Sequence, residues 1–178
     1  MAIQYKTVSY GSEVKEIGVV SDTHIPARGK SIPGEFYERL KNVQLILHAG
    51  DLVEEKVLDE LKALAPVEAV AGNMDPPPLH SRLGRLKLVR VGEIGIGMLH
   101  GDMGGRRINY DLFRELFQPE TPQVVVFGHL HEPVREERNG TLYFNPGSLI
   151  DPRRTASPSC GLLHVNGMQV SGEIIYLK

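Results

Sequence analysis

Five short apolar runs in this chain are each followed at once by side chains that can bind a metal ion. The runs cover residues 17–20, 45–48, 67–71, 94–99 and 124–127. The side chains that follow them are Asp22, His24, Asp51, Asn73, His100, His129 and His131. Carboxylate and imidazole groups are ligands of divalent cations, and open α/β sheets collect ligands at the carboxyl ends of their strands. We therefore expect five buried strands whose ends meet at one metal site.

The spacing within two of these groups favours a shared ion. Asp22 and His24 are two residues apart, as are His129 and His131, and side chains two apart in an extended segment point the same way. Asp51 carries a carboxylate, which can bridge two cations. The full set offers more ligands than one ion needs, whereas two ions roughly 3.5–4 Å apart would use all of them.

Each group has a simpler structural explanation when it is taken alone. Gly50-Asp51 is typical of a turn and helix cap, Asn73 of a turn, and His100 of a strand end. All five groups in this order, each after an apolar run, favour the metal site. The glycines that directly precede a candidate ligand are Gly50, Gly72 and Gly128. They let the backbone turn sharply and approach a ligand closely.

The periodicity of the chain predicts an α/β fold with two packed sheets flanked by helices. Strands are predicted at residues 17–20, 45–47, 67–70, 86–91, 94–99, 124–127, 134–138, 142–144, 161–165 and 169–175. Helices are predicted at residues 53–64 and 107–117, with a shorter one after Pro33. The three prolines at 76–78 predict an extended loop.

Length and composition indicate the number of domains, the cell compartment and the kinds of site that are excluded. A length of 178 residues with 41% hydrophobic residues fits one domain, residues 1–178. Cys160 is the only cysteine, so an intramolecular disulfide and a thiolate zinc cage are excluded. No apolar run approaches the ~20 residues that span a bilayer, and residues 1–14 lack the apolar centre of a signal peptide. We expect a cytoplasmic protein without a membrane segment, and a homo-oligomer stays open.

The motifs together resemble a known family. Asp22-x-His24, Gly50-Asp51, Gly72-Asn73, His100 and Gly128-His129-x-His131 resemble the five sequence blocks of the calcineurin-like metallophosphoesterases. Gly72-Asn73-Met74-Asp75 and Asn145-Pro146-Gly147-Ser148 resemble its small single-domain branch, the YfcE-like phosphodiesterases, whose fold the retromer subunit Vps29 shares. The similarity extends from residue 17 to about residue 153.

The resemblance implies a four-layer α/β/β/α sandwich of two mixed sheets with helices outside. It also implies two divalent metal ions, with Mn²⁺ favoured over Ni²⁺, Zn²⁺, Fe or Mg²⁺. The implied ligands of the first ion are Asp22, His24, Asp51 and His131. Those of the second are Asp51, Asn73, His100 and His129, with Asp51 as the catalytic bridge. A water or hydroxide between the ions would attack phosphorus in a small phosphate ester, a diester rather than a monoester.

The chain departs from the family pattern at two positions. Many relatives carry a proton-donating histidine directly after the asparagine, where this chain has Met74. Asp75 follows and is a candidate catalytic residue that assists the leaving group, with capping of the turn as the structural alternative and water as another proton source. Relatives also often carry a second histidine where Asp102 stands, which leaves the role of Asp102 open.

Several polar residues are weaker candidates. Arg153 and Arg154 are predicted to bind substrate together with Asn73, because a guanidinium group matches phosphate oxygens. Arg106-Arg107 is a second basic pair, and exposed arginines are commonly only solvated. His48 is interpreted as a packing or ligand-supporting residue rather than a direct ligand.

Two further functions compete with the phosphoesterase. One is a catalytically weak protein-binding scaffold of the Vps29 type. Met74 favours this alternative, because it replaces the proton-donating histidine of many relatives. All seven ligand positions, however, keep a ligand-competent side chain. The other is a nuclease, which requires a basic groove, and a formal net charge of −2 gives nucleic-acid binding little support.

Overall fold

A computed structural model describes residues 4–178. Residues 1–3, part of the segment considered above for a signal peptide, lie outside the described residues. The strands are β1 (Lys6–Tyr10), β2 (Glu16–Val20), β3 (Leu45–His48), β4 (Val67–Ala69), β5 (Leu86–Val91), β6 (Ile94–Leu99), β7 (Val124–Val126), β8 (Val134–Arg138), β9 (Thr141–Asn145), β10 (Ser159–Asn166) and β11 (Gln169–Tyr176). The helices are α1 (Gly34–Arg39), α2 (Lys56–Lys62), α3 (Pro77–Leu83) and α4 (Tyr110–Glu115), with a 3₁₀ turn at Asp102–Gly104.

The strands form two mixed sheets. One has six strands in the order β1-β5-β6-β7-β9-β8, and the other has five in the order β11-β10-β2-β3-β4. In the five-stranded sheet β2 and β3 run parallel, with Val20 opposite His48. In the six-stranded sheet β6 and β7 run parallel, with Met98 opposite Val126. The parallel register brings the carboxyl ends of neighbouring strands together, and the polar loops follow from these ends.

Three apolar layers hold the sheets and helices together. The inner faces of the two sheets pack against each other through branched residues such as Val19, Leu47 and Ile96. The outer face of the five-stranded sheet is covered by α1, α2 and α3. The outer face of the six-stranded sheet packs against Phe113 of α4 and against Phe117. The result is the expected four-layer α/β/β/α sandwich.

Three helices begin at residues other than those the sequence predicted. The proline run does not form a loop, because α3 begins at Pro77. A proline suits the first turn of a helix, where its missing N–H has no partner to lose. The helix predicted from residue 53 begins only at Lys56, since Val53 has a φ of 76° and bridges to Ile25. The helix predicted from residue 107 begins after Asn109, whose side chain accepts a hydrogen bond from the Leu112 N–H.

One strand was missed by the sequence analysis. Strand β1 lies at the edge of the six-stranded sheet and pairs in parallel with β5. Its side chains are exposed or half-buried, so it lacks the apolar run that identified the other strands. Within residues 4–178, no helix combines the length and the apolar character that crossing a bilayer requires.

Candidate metal centre

Five side chains from four strand-end loops face one another. Oδ1 of Asp22 lies 3.2 Å from Nε2 of His131 and 3.7 Å from Nε2 of His24. Oδ2 of Asp51 lies 3.2 Å from Nε2 of His100 and 3.5 Å from Nε2 of His24. The set forms two overlapping groups, one with His24 and His131 and one with Asp51 and His100, which share Asp22. Each group has ligand atoms within 4.8 Å of one another and could hold a metal ion.

Main-chain carbonyl groups orient two of the imidazoles. Nδ1 of His100 lies 2.7 Å from the Ala49 carbonyl oxygen, and Nδ1 of His131 lies 2.6 Å from that of Asp151. A carbonyl oxygen only accepts hydrogen bonds, so each Nδ1 carries the proton and donates. In the neutral ring the lone pair is therefore on Nε2, the atom that faces the cluster. This arrangement is typical of histidines that bind metal.

The unpaired atoms of the cluster fit a bound cation. Oδ2 of Asp22 accepts hydrogen bonds from the Ser21 hydroxyl at 2.6 Å and from the His129 N–H at 3.0 Å. Oδ1 of Asp22 and Nε2 of His100 are buried and have no aligned hydrogen-bond partner among residues 4–178. Leaving such an atom unpaired costs about 1–3 kcal/mol. Divalent cations would satisfy both atoms, so the donor set fits a metal.

Backbone strain is concentrated at the same residues. In the described part of the chain, eight residues other than glycine have a positive φ. The five of these that are candidate ligands are Asp22, His24, Asp51, His129 and His131. Such conformations cost on the order of 1–3 kcal/mol each and cluster at functional sites. The loops that follow the strands thus adopt an unfavourable backbone conformation, and this conformation turns these side chains toward one centre.

Two glycines make room for the carboxylates, as the sequence predicted. A Cβ at Gly72 would lie 2.2 Å from Oδ1 of Asp51. A Cβ at Gly128 would lie 1.8 Å from the Ser21 hydroxyl and 2.6 Å from Oδ2 of Asp22. Any larger residue at either position would displace a candidate ligand.

Asp75 is bound to the backbone of the loops rather than open to a substrate. Its buried carboxylate accepts hydrogen bonds from the N–H groups of Asp51 at 2.9 Å, Val53 at 2.7 Å and Gly72 at 2.8 Å. Asp51 and Val53 are both in strained positive-φ conformations, so these bonds stabilise the backbone of the loop that carries Asp51. These contacts are those expected if Asp75 fixes the turn. The hypothesis that Asp75 assists the leaving group stays a prediction.

The other two predicted ligands lie at the edge of the cluster. The ring of His129 is half-buried and meets the ring of His100 edge-on, with centroids 5.2 Å apart. Asn73 is exposed in the turn after β4. Within residues 4–178, no hydrogen bond joins its side chain to the cluster, although the next residue, Met74, donates its N–H to Oδ1 of Asp51 at 2.7 Å.

The charges in the cluster are strongly coupled. Burial acts to raise the pKa of Asp22, but the imidazoles of His131 and His24 outweigh it and hold that pKa well below its usual range. Burial acts to lower the pKa of His100, yet the adjacent carboxylates of Asp51 and Asp22 raise it to about 9. Without a metal, the His100 imidazolium therefore offsets part of the negative charge of the two carboxylates at neutral pH. A cation that binds here replaces this proton.

His48 supports the loops from the core. Its Nδ1 accepts a hydrogen bond from the Gly50 N–H at 3.1 Å, and its Nε2 lies 3.2 Å from the Thr23 hydroxyl. Burial lowers the pKa of His48 to about 3, so the ring stays neutral. It joins the loops of Asp22 and Asp51, which agrees with the interpretation of His48 as a ligand-supporting residue.

The predicted phosphate-binding arginines are solvent-exposed. Nε of Arg153 lies 3.5 Å from Oδ2 of Asp151, whose carbonyl oxygen accepts from His131. Arg154 has a side chain that is 87% exposed and lies 3.8 Å from Glu132. Arg153 is thus near the His131 side of the cluster. Within the described residues, no hydrogen bond or ion pair joins either arginine to the candidate ligands.

Several supporting residues were not identified from the sequence. The Ser148 hydroxyl donates to the Asp22 carbonyl oxygen at 2.8 Å, and the Asn145 amide donates to the Gly128 carbonyl oxygen at 2.8 Å. These contacts attach the turn that follows β9 to two of the ligand loops. The family resemblance identified this turn as a motif but assigned it no contact, because serine and asparagine in a turn carry no signal of a distant partner.

The fold and the site together define a class of protein. A four-layer sandwich with buried carboxylates and imidazoles gathered at its strand ends is that of a metal-dependent hydrolase. The calcineurin-like phosphoesterase superfamily domain matches residues 16–168. A probable metallophosphoesterase of Methanothermobacter thermautotrophicus is 40% identical over 159 residues, which are 89% of this chain and 91% of that protein. The chain belongs to the calcineurin-like phosphoesterase superfamily.

Solved structures show the same fold. Vacuolar protein sorting 29 from Cryptosporidium parvum superposes with a TM-score of 0.78 at 24% identity, over 93% of this chain and 92% of that one. A protein described as a novel archaeal phosphodiesterase superposes with a TM-score of 0.66 at 25% identity, over 90% of this chain and 99% of that one.

Proposed function

We propose that this protein is a phosphodiesterase with a dinuclear metal centre. The first ion would be held by Asp22, His24, Asp51 and His131. The second would be held by Asp51, Asn73, His100 and His129, with Asp51 shared between the two. The observation that carries this proposal is the convergence of five buried carboxylate and imidazole groups. Among the described residues 4–178, Oδ1 of Asp22 and Nε2 of His100 in this group have no aligned hydrogen-bond partner.

When bound, divalent ions would supply an activated water and neutralise the charge that develops on the phosphoryl group. The residues of the chain hold this site rigid. Carbonyl oxygens fix the rings of His100 and His131, and Asp75 fixes the loop of Asp51. Preorganised groups of this kind act without reorganising during the reaction, which is the main source of electrostatic catalysis. No side chain is required as a nucleophile.

This chain differs from many relatives at the residue that would protonate the leaving group. Met74 is 58% exposed at the position of the missing histidine, and a thioether cannot transfer a proton. The carboxylate of Asp75 is occupied by three backbone N–H groups. Water is then the proton source, and esters whose leaving group departs as a stable anion are the preferred substrates. The similarity of fold to the archaeal phosphodiesterase reported above supports the proposal that the substrate is a diester rather than a monoester.

The test is metal reconstitution with two substrate classes. Protein stripped of metal is refilled with Mn²⁺, Ni²⁺, Zn²⁺ or Mg²⁺ and assayed with bis(4-nitrophenyl) phosphate and with 4-nitrophenyl phosphate. We expect no turnover without metal, turnover with about two ions per chain, and a higher kcat/KM for the diester. Faster hydrolysis of the monoester would contradict the diesterase assignment.

The protein-binding scaffold is the alternative that this test also decides. The similarity to vacuolar protein sorting 29 is one of fold, and a scaffold needs no buried unpaired ligand atoms. A protein that binds two ions per chain and hydrolyses neither ester would support the scaffold over the enzyme.

A further inference from the structure

Arg85 is the first residue before β5 and lies between two of the ligand loops. The preceding Gly84 accepts a hydrogen bond through its carbonyl oxygen from the Ala71 N–H at 2.8 Å, and Ala71 directly precedes the Gly72-Asn73 turn. The following Leu86 pairs with Leu99 of β6, the last residue before His100. The backbone therefore fixes Arg85 at the rim of the site, on the side of Asn73 and His100.

The guanidinium group of Arg85 is held by Asp102. Nη2 of Arg85 lies 2.6 Å from both Oδ1 and Oδ2 of Asp102. Asp102 stands two residues after His100, and its negative charge acts on the half-buried imidazole of His129. Both side chains of the pair are mostly buried, with 31% of Arg85 and 17% of Asp102 exposed. Many relatives carry a histidine at the position of Asp102.

The pair uses only one nitrogen of the arginine. Within residues 4–178, no side chain or carbonyl group accepts a hydrogen bond from Nε or Nη1 of Arg85, whereas Nη2 makes both bonds to Asp102. Three N–H donors thus stay available on a planar cation beside the site. A guanidinium group binds phosphate oxygens with paired, charge-assisted hydrogen bonds.

We propose that Arg85 binds a non-bridging oxygen of the substrate phosphate and that Asp102 is the positioning residue that orients it. This inference rests on the proposed function, because it assigns the phosphate ester to the site described above. It differs from the sequence-based hypothesis, which placed phosphate binding at Arg153 and Arg154. Asp102 fixes the arginine in one rotamer, so less side-chain entropy is lost when the substrate binds.

The experiment compares Arg85→Gln with the wild type after loading with Mn²⁺. We expect kcat/KM for bis(4-nitrophenyl) phosphate to fall about 10–100-fold, the effect of losing a charged hydrogen bond. The dissociation constant of inorganic phosphate, measured by calorimetry on the metal-loaded protein, should rise about tenfold or more. Metal content per chain should not change, because Arg85 is not a ligand.

Arg90→Gln is the matched control. Arg90 lies in β5, at the end near the β5–β6 hairpin turn and opposite Gly95, and makes a similar ion pair with Glu120 at 2.7 Å. It should retain the activity and phosphate affinity of the wild type. Asp102→Asn should weaken phosphate binding less than Arg85→Gln does. The double variant should show little further loss, because Asp102 acts through Arg85.

The outcomes separate this inference from the proposed function. An active wild type whose Arg85→Gln variant keeps kcat/KM and phosphate affinity within about twofold overturns the inference and leaves the function intact. An inactive wild type that binds phosphate tightly only with Arg85 present overturns the function and supports the inference. A metal-loaded wild type that does not bind phosphate overturns the inference. If Arg85→Gln loses metal, the Arg85→Gln/Asp102→Asn variant, which leaves no unpaired carboxylate, replaces it, and unchanged phosphate affinity in that variant also overturns the inference.

Discussion

Nε2 of His100 and Oδ2 of Asp51 lie 3.2 Å apart at the ends of strands that belong to different sheets. Burial acts to lower the pKa of His100, but Asp51 and Asp22 raise it from 6.5 to about 9. A raised folded-state pKa means that the folded protein binds the proton more tightly than the unfolded chain does. The resulting stability is fully present below pH 6.5 and is lost as the pH rises toward 9.

The metal-free protein should therefore lose stability in alkaline solution. Between pH 6.5 and 9 we expect the free energy of unfolding, measured with urea, to fall by up to about 3 kcal/mol. The His100→Gln variant should show a much smaller fall over the same range. Equal pH dependence of the two proteins would contradict the assignment to His100.

The bridge position should matter more than any other ligand. Asp51→Asn should lower kcat/KM by at least about 100-fold, the scale of losing one electrostatic contributor, and should lower the content of both ions, because a neutral amide bridges two cations poorly. His24→Ala should reduce mainly one ion and His100→Ala mainly the other. Metal content per chain is measured by atomic emission. Asp59→Asn, at an exposed site on α2, is the control.

A bridge variant that keeps two ions and full turnover would contradict the dinuclear assignment. Loss of both ions in Asp59→Asn as well would show that the effect comes from general instability rather than from the site.

Asp75→Asn should slow the hydrolysis of every ester to a similar extent. An asparagine presents one oxygen and one N–H₂ group, so it cannot accept from all three backbone donors that Asp75 now binds. We expect lower metal affinity and a loss of stability of about 1–3 kcal/mol. Stability is measured in urea, and kcat/KM is compared for an aryl and an alkyl phosphodiester. A loss confined to the alkyl ester, with metal content unchanged, would instead identify Asp75 as a proton donor.

Met74→His should help poor leaving groups selectively. Met74 is exposed, and its N–H donates to Oδ1 of Asp51, so a new imidazole at this position would lie beside the site. An alkyl leaving group needs a proton in the transition state and an activated aryl group does not. The ratio of kcat/KM for alkyl and aryl diesters should rise, by about tenfold or more if the imidazole acts as a general acid. An unchanged ratio would show that protonation does not depend on this position.

The sequence by itself determined most of the strands and the location of the candidate site. The apolar runs that became β2, β3, β6 and β7 are local patterns, so they identify strands without any tertiary information. The same holds for Asn139-Gly140 and Asn166-Gly167, which form the turns of the β8–β9 and β10–β11 hairpins. The seven candidate ligands were visible because each follows such a run. The edge strand β1 was not visible in the sequence, because its exposed and half-buried side chains lack that pattern. Nor was the start of α3, because three prolines fit an extended chain as well as a first helical turn.

Only the tertiary structure decided how the site is held. The carboxylate of Asp75 binds N–H groups on a loop from a different strand, and Arg85 reaches Asp102 across the β5–β6 hairpin. Neither partner has a fixed spacing in the sequence, and an aspartate that caps its own turn looks the same as one that fixes a distant loop. Local periodicity reports which face of a strand is buried. The partner of a buried polar group depends on which loops the packed sheets bring together.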